Sequence, residues 1–152
     1  MLVRTMRRNQ SGFTLIEVLL VVTYIAVIAL IVIPKFSGVQ RRANEAAMRA
    51  TLRILRDGVA SYQAETGAFP ARVDDLVAPS VPATGLSSDG TEVAIVPADW
   101  RGPYVRYANG QVPVDRVTGQ RSWAYQTNPP HVSQLNSLAE GDGMDGVPYS
   151  RY

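Results

Sequence analysis

The sequence predicts an α+β protein, with one long N-terminal helix, half membrane-embedded and half amphipathic, packed on a small antiparallel sheet. Three observations predict this class. A long apolar run occupies residues 13–33, an amphipathic helical period follows over 34–66, and residues 67–152 alternate turn signals with short strand-like segments. We therefore divide the chain into a basic leader at 1–12, an apolar helix, its amphipathic continuation and a C-terminal globular region.

The distribution of charge matters more than the formal net charge of +2. Arg4, Arg7 and Arg8 precede Gly12 and no acidic residue does, so the rest of the chain carries slightly more acidic than basic residues. This balance argues against a nucleic-acid partner. The chain has no cysteine, and His131 is its one histidine. A catalytic triad, a thiolate metal site and a disulfide framework are therefore not expected, and we do not expect an enzyme.

The apolar run from Phe13 to Ile33 is long enough to cross a membrane. As a helix its 21 residues measure about 32 Å, which matches the hydrocarbon core of a bilayer. A buried core helix, a cleaved secretory signal and a plain signal anchor are the alternatives. The basic residues before the run predict a cytoplasmic N-terminus and a C-terminal region across the membrane.

One carboxylate interrupts this run at Glu17, where an unpaired charge is costly. The segment Gly12-Phe13-Thr14-Leu15-Ile16-Glu17, after its basic leader, resembles the prepilin cleavage and methylation motif of type IV pilins and type II secretion pseudopilins. The resemblance implies cleavage by prepilin peptidase between Gly12 and Phe13, N-methylation of Phe13 and a role for Glu17 in filament assembly.

Cleavage would give Glu17 a partner, because it creates an α-amino group at Phe13. Residues 13 and 17 share one face of a continuous helix. The amine can pair with the carboxylate within one chain, or with that of a neighbouring chain, where it would fix the axial register of a filament. Pro34 follows the run and lacks the donor for a helical hydrogen bond, so it predicts a kink or a loosened turn there.

Beyond the membrane the helix is expected to present three faces. An apolar stripe should face a core, and a small-residue stripe can pack against neighbours. The arginine face is either solvated, close to anionic headgroups, in contact with other subunits or, least favoured, in contact with nucleic acid. The apolar stripe consists of Met48, Leu52, Leu55, Val59 and Tyr62. The small-residue stripe consists of Ala43, Ala47, Ala50 and Ile54, and the arginine face of Arg42, Arg49, Arg53 and Arg56.

The helix should end near Thr66. The segment from Tyr62 to Pro70 resembles the helix-end motif of major pseudopilins, in which Gly67 caps the helix and Phe69 covers its end. We expect a helical turn at Asp74–Leu76 and a loop over Pro79–Asp89.

Short strands are expected at Thr91–Val96 and Ser122–Gln126. The Gly-Pro-Tyr segment at 102–104 and the turn at 113–119 also resemble pseudopilin patterns. Arg116 stands where many relatives have proline, which predicts a looser turn. These segments are otherwise expected to serve folding.

The tail from Glu140 to Ser150 is acidic and rich in glycine. Carboxylates on such a loop can offer oxygen ligands to calcium, and major pseudopilins bind calcium in a C-terminal loop. Asp142 and Asp145 are the candidate ligands, although their spacing matches no EF-hand. A solvent-exposed turn without metal is the alternative interpretation.

The resemblance as a whole implies a structural filament subunit, namely the major pseudopilin of a type II secretion system. It would be a single-pass inner-membrane protein with a periplasmic C-terminal region, assembled into a periplasmic or extracellular filament. Its partners would be copies of itself, prepilin peptidase, the inner-membrane assembly platform and other pseudopilins. A type IV pilin used for adhesion, motility or DNA uptake, or a minor pseudopilin, is the alternative.

Overall fold

The computed structural model describes residues 12–152, so the predicted leader lies outside the described residues except for Gly12. By their internal contacts the residues up to Gln40 and those from Arg41 to Tyr152 are two compact units. Helix α1, Leu15–Thr66, supplies the helical residues of the first unit and begins the second. The α+β class is confirmed, with part of α1 packed against small antiparallel sheets.

In the second unit the predicted apolar stripe of α1 is confirmed residue by residue. Its five members are buried and belong to the hydrophobic core of this unit. Gly58 also lies on this buried side, where a Cβ atom would come within 2.6 Å of Val105. Glycine lowers the stability of a helix, but at position 58 its missing side chain allows Val105 to pack closely against the helix.

The C-terminus of α1 is where the sequence predicts it. Gly67 takes a positive φ of 73°, and its amide donates to the Gln63 carbonyl at 2.9 Å. The Tyr62 ring lies 5.2 Å from that of Tyr104, and the Tyr104 hydroxyl donates to Glu65 at 2.7 Å. The Gly-Pro-Tyr segment thus covers the last turns of the helix.

Three strands after α1 form the first sheet: β1 (Phe69–Pro70), β2 (Thr84–Leu86) and β3 (Glu92–Ala94), antiparallel in that order. A 3₁₀ helix, Val73–Leu76, confirms the predicted helical turn. The predicted strand at 91–96 is confirmed in its centre by β3.

The expectation of a loop over Pro79–Asp89 is wrong in its middle, where β2 forms a strand, and holds on either side of it. The composition of residues 79–89 is typical of a loop and gave no sign of this strand. A Cβ on Gly85 would lie 2.8 Å from the Phe69 carbonyl oxygen and 2.9 Å from Ile95, so the strand fits only because its centre has no side chain.

The second sheet pairs β4 (Ala124–Tyr125) with β5 (Leu135–Asn136), and confirms a strand within Ser122–Gln126. The preceding turn is not loosened by the exposed Arg116. Asp115 is fully buried, accepts from the Val117 amide at 2.8 Å and the Ser137 hydroxyl at 2.5 Å, and its main chain pairs with Gln120. The Asp115 carboxylate closes this turn without proline. Two further 3₁₀ helices, Ala108–Gly110 and Tyr149–Arg151, complete the second unit.

Candidate functional site

The first candidate site is the start of α1. The helix begins at Leu15, and the Thr14 hydroxyl accepts from the Glu17 amide at 3.4 Å, as an N-cap residue does. Phe13 therefore lies outside the helix in the uncleaved chain. The expectation that Phe13 and Glu17 share a helix face is not met there, because the helical backbone starts two residues after Phe13.

The apolar run is uncovered within its own unit. Apart from the half-buried Ala29, residues 13–33 are exposed, including Phe13 at 77% and Leu30 at 77%. The helix is long and apolar enough to cross a membrane, by length and composition. Glu17 is exposed in this run, and residues 13–33 contain no basic side chain.

Helix α1 continues through position 34. The side chain of Pro34 lies outside the described part of the chain, and the predicted kink stays a prediction.

The second site lies in the other unit, on the first turns of α1 after Arg41. Glu45 is only 4% exposed, and sequence reasoning missed it. Its carboxylate accepts from the Met144 amide at 3.0 Å and the Tyr149 hydroxyl at 2.7 Å, and pairs with Arg41 at 3.2 Å. Its spacing was a usable signal, because Glu45 precedes Met48 by three residues and so extends the apolar stripe.

These contacts act on the charge of Glu45. The Met144 amide and the Tyr149 hydroxyl hold the pKa of the Glu45 carboxyl below its ordinary value of 4.5, with a further contribution from Arg41. The folded state therefore favours the charged carboxylate of Glu45 over the protonated acid. Glu45 therefore ties the C-terminal segment to the helix in a pH-dependent way.

We expect Glu45→Gln to lower the free energy of unfolding by about 2 kcal/mol at neutral pH, since it weakens charged hydrogen bonds. The folded-state pKa is lowered, so the contribution of Glu45 is complete above its unfolded pKa and lost as the pH falls through the folded value. The difference between wild type and variant should therefore shrink on acidification. Tryptophan fluorescence of the full chain during denaturation in detergent measures this.

The exposed Glu92→Gln on β3 is the matched control and should change stability little. A wild-type advantage over Glu45→Gln that stays constant down to strongly acidic pH would contradict the assignment.

All four arginines of the arginine face are exposed, and two of them also bind groups of the same chain. Arg49 pairs with Asp145 at 2.7 Å, and Arg56 donates to the Leu135 carbonyl at 2.7 Å and to Asn136 at 3.1 Å. The solvated alternative therefore holds for the exposure of this face, while its contacts with headgroups, other subunits or nucleic acid stay untested.

The small-residue stripe lies away from the core of the second unit. Ala43, Ala50 and Ile54 are exposed, and Ala47 is half-buried. The stripe is therefore accessible to neighbouring helices, and its packing against them stays a prediction.

The carboxylates of the acidic tail are engaged by donors of the chain itself, as the described residues show. Among residues 12–152 no group of three or more Asp, Glu, His or Cys side chains is placed to hold a metal ion. The Asp145 carboxylate accepts from Arg49, the Tyr152 hydroxyl and the Val147 amide, and the Asp142 carbonyl accepts from Arg41 at 2.8 Å. Calcium binding at Asp142 and Asp145 stays a prediction, and these donors would have to move to permit it.

Comparisons with known proteins agree with the N-terminal motif. The family model for the prokaryotic N-terminal methylation motif matches residues 7–33. The type II secretion system core protein G of Aeromonas hydrophila is 27% identical over 111 residues, which cover 69% of this chain and 78% of that protein. The core protein G of Pseudomonas aeruginosa is 27% identical over 110 residues, 68% of this chain and 78% of that protein.

Similarity also extends to a pilus protein. The type IV wide pilus major component PilA4 of Thermus thermophilus is 33% identical over 70 residues, 46% of this chain and 53% of that protein. No solved structure matches the chain.

Proposed function

We propose that this chain, a homologue of type II secretion core protein G with a prokaryotic N-terminal methylation motif, is the major pseudopilin of a type II secretion system. It would polymerise through α1 into the filament that drives or scaffolds secretion of folded proteins. The observation that carries the proposal is the coincidence of the motif with an exposed apolar helix that begins within it. The chain would act as a structural subunit and not as an enzyme.

The geometry of the N-terminal unit supports assembly through this helix. An apolar surface that its own unit leaves uncovered needs lipid or other helices around it. In the membrane the lipid covers it, and in a filament neighbouring copies would do so. Glu17 would pair with the Phe13 amine of a neighbouring chain and set the register between copies.

Localisation follows from the same helix. The basic leader favours a cytoplasmic N-terminus, and the second unit would then lie in the periplasm. The partners would be further copies, prepilin peptidase, the inner-membrane assembly platform and other pseudopilins.

Processing gives a direct test of the N-terminal assignment. Gly12 is exposed, and a side chain there would meet nothing within 4 Å in this structure, so a substitution is tolerated by the fold. We expect Gly12→Val to block cleavage, because the peptidase would bind an unhindered extended backbone at the scissile bond. Mass spectrometry of membrane-extracted protein should find wild type starting at a methylated Phe13 and the variant retaining its leader.

Ser11→Ala is the control for this experiment and should be processed normally. Cleavage of Gly12→Val at the same bond, or a wild-type chain that retains its leader beside an active peptidase, would count against the assignment.

The proposed function itself is tested by deleting the gene in its bacterium and comparing the proteins in the culture medium. We expect specific exoproteins to accumulate in the periplasm and to be exported again when the wild-type gene is restored. The similarity to PilA4 favours a type IV pilin as the second candidate. Normal secretion with loss of surface filaments after deletion would select the pilin.

A further inference from the structure

The C-terminal segment Gly141–Tyr152 folds back on α1 through contacts that no predicted site accounts for. A tight turn opens it, in which the Gly146 amide donates to the Gly143 carbonyl at 3.0 Å and the Gly143 amide to the Val147 carbonyl at 2.8 Å. Gly143 has no room for a side chain, since a Cβ would lie 2.5 Å from the Tyr152 hydroxyl and 2.9 Å from Asp145. The turn is thus built closely around the Asp145 carboxylate.

Two arginines of α1 reach this turn from one side. Arg49 pairs with Asp145 at 2.7 Å, donates to the Tyr152 hydroxyl and stacks over the Tyr152 ring with 4.1 Å between guanidinium carbon and centroid. Arg41 donates to the Asp142 carbonyl at 2.8 Å and also contacts Glu45. The two guanidinium groups therefore bind the Asp145 carboxylate and the Asp142 carbonyl, the oxygen atoms that a bound cation would otherwise use.

The Asp145 and Glu45 carboxylates each have a guanidinium partner and hydrogen-bond donors from the chain itself, without any added ion. The Tyr152 hydroxyl donates to Asp145, and this bond together with Arg49 lowers the pKa of the Asp145 carboxyl. Below the turn, buried Glu45 accepts from the Met144 amide and the Tyr149 hydroxyl. One exposed ion pair contributes little by itself, but here it belongs to a network with a buried carboxylate and two aromatic rings.

We propose that the C-terminal segment is closed on α1 by an arginine clamp, defined as Arg41, Arg49, Glu45 and Asp145, which does the work of a metal ion and makes the closure independent of calcium. The two guanidinium groups neutralise the turn from the helix side, and Glu45 fixes it from below. This inference does not rest on the proposed function, because it concerns the fold of a single chain.

The test uses the full chain in detergent, with melting followed by the fluorescence of Trp100 and Trp123, both in the unit that contains the clamp. We expect wild type to melt at the same temperature in calcium and in EGTA. Arg49→Gln should lower the melting temperature by about 5 °C. Asp145→Asn should do the same, and the double variant should lose little more, since both remove one interaction.

Arg53→Gln is the matched control, an exposed arginine one helical turn after Arg49, and should melt like wild type. Hydrogen exchange gives a local measurement in case a variant is destabilised throughout. In Arg49→Gln the amides of Gly143, Met144 and Tyr149 should exchange about tenfold faster, while those around Leu55 keep their protection.

Two results would overturn the clamp. One is a calcium-dependent rise in the melting temperature of wild type that Asp145→Asn abolishes, which would assign the closure to a metal ion. The other is an Arg49→Gln variant that matches Arg53→Gln in both melting and exchange.

Discussion

Glu17→Ala should leave the chain anchored in the membrane and reduce the number of filaments at least about tenfold, the change expected when an interaction near 1.4 kcal/mol is lost. The reason is that a carboxylate in an apolar bundle is tolerated only when it is paired, and residues 13–33 offer no basic side chain. Alanine removes the charge that would bind the neighbouring α-amino group. Counting filaments by electron microscopy, beside the membrane-bound fraction by immunoblot, measures both quantities.

Glu17→Ala should not disturb the start of helix α1. The capping bond at Thr14 goes to the backbone amide of residue 17, which alanine retains. Thr23→Ala is the matched control, because it removes a hydroxyl that donates to the Leu19 carbonyl of its own helix. Wild-type filament numbers in Glu17→Ala, or an equal loss in Thr23→Ala, would defeat the assembly role.

Leu55→Ala should lower the free energy of unfolding of the second unit by about 3 kcal/mol. Leu55 is 0% exposed in the centre of the core, so its truncation leaves a cavity and removes apolar surface from burial. Denaturant unfolding of the full chain in detergent, followed by tryptophan fluorescence, reports this loss, because Trp123 belongs to the same core.

The adjacent residue provides the control. Ile54 is 52% exposed on the other side of the helix, and Ile54→Ala should change stability by less than about 0.5 kcal/mol. Equal losses in the two variants would mean that the helix does not bury its apolar stripe.

Periodicity predicted the helix well because burial imposes a repeat on the sequence. The stripe from Met48 to Tyr62, and the glycine at position 67 that ends the helix, are both visible in the order of residue types alone. Strand β2 is not, because its centre is Gly85 and its requirement is the absence of a side chain. A glycine that permits close approach looks the same in a sequence as a glycine in a loop.

The two candidate sites also differ in how far the sequence alone reveals them. The N-terminal motif is contiguous, so Gly12, Phe13 and Glu17 were identified together. The clamp joins Arg49 to Asp145 across 96 positions of sequence, and its members looked like a solvated face and an exposed acidic tail. Glu45 shows a middle case, since its position on the apolar stripe indicated burial but nothing in the sequence indicated Met144 and Tyr149 as its donors.

The uncovered apolar surface of residues 13–33 has a consequence for the energetics of polymerisation. Lipid tails are as apolar as leucine side chains, so moving this helix from bilayer to filament gains little from the hydrophobic effect. The free energy of assembly must then come from close packing and from a few polar atoms. In the proposed filament, the return of a subunit to the membrane would cost little hydrophobic free energy, so packing and polar contacts would set the balance between assembly and release.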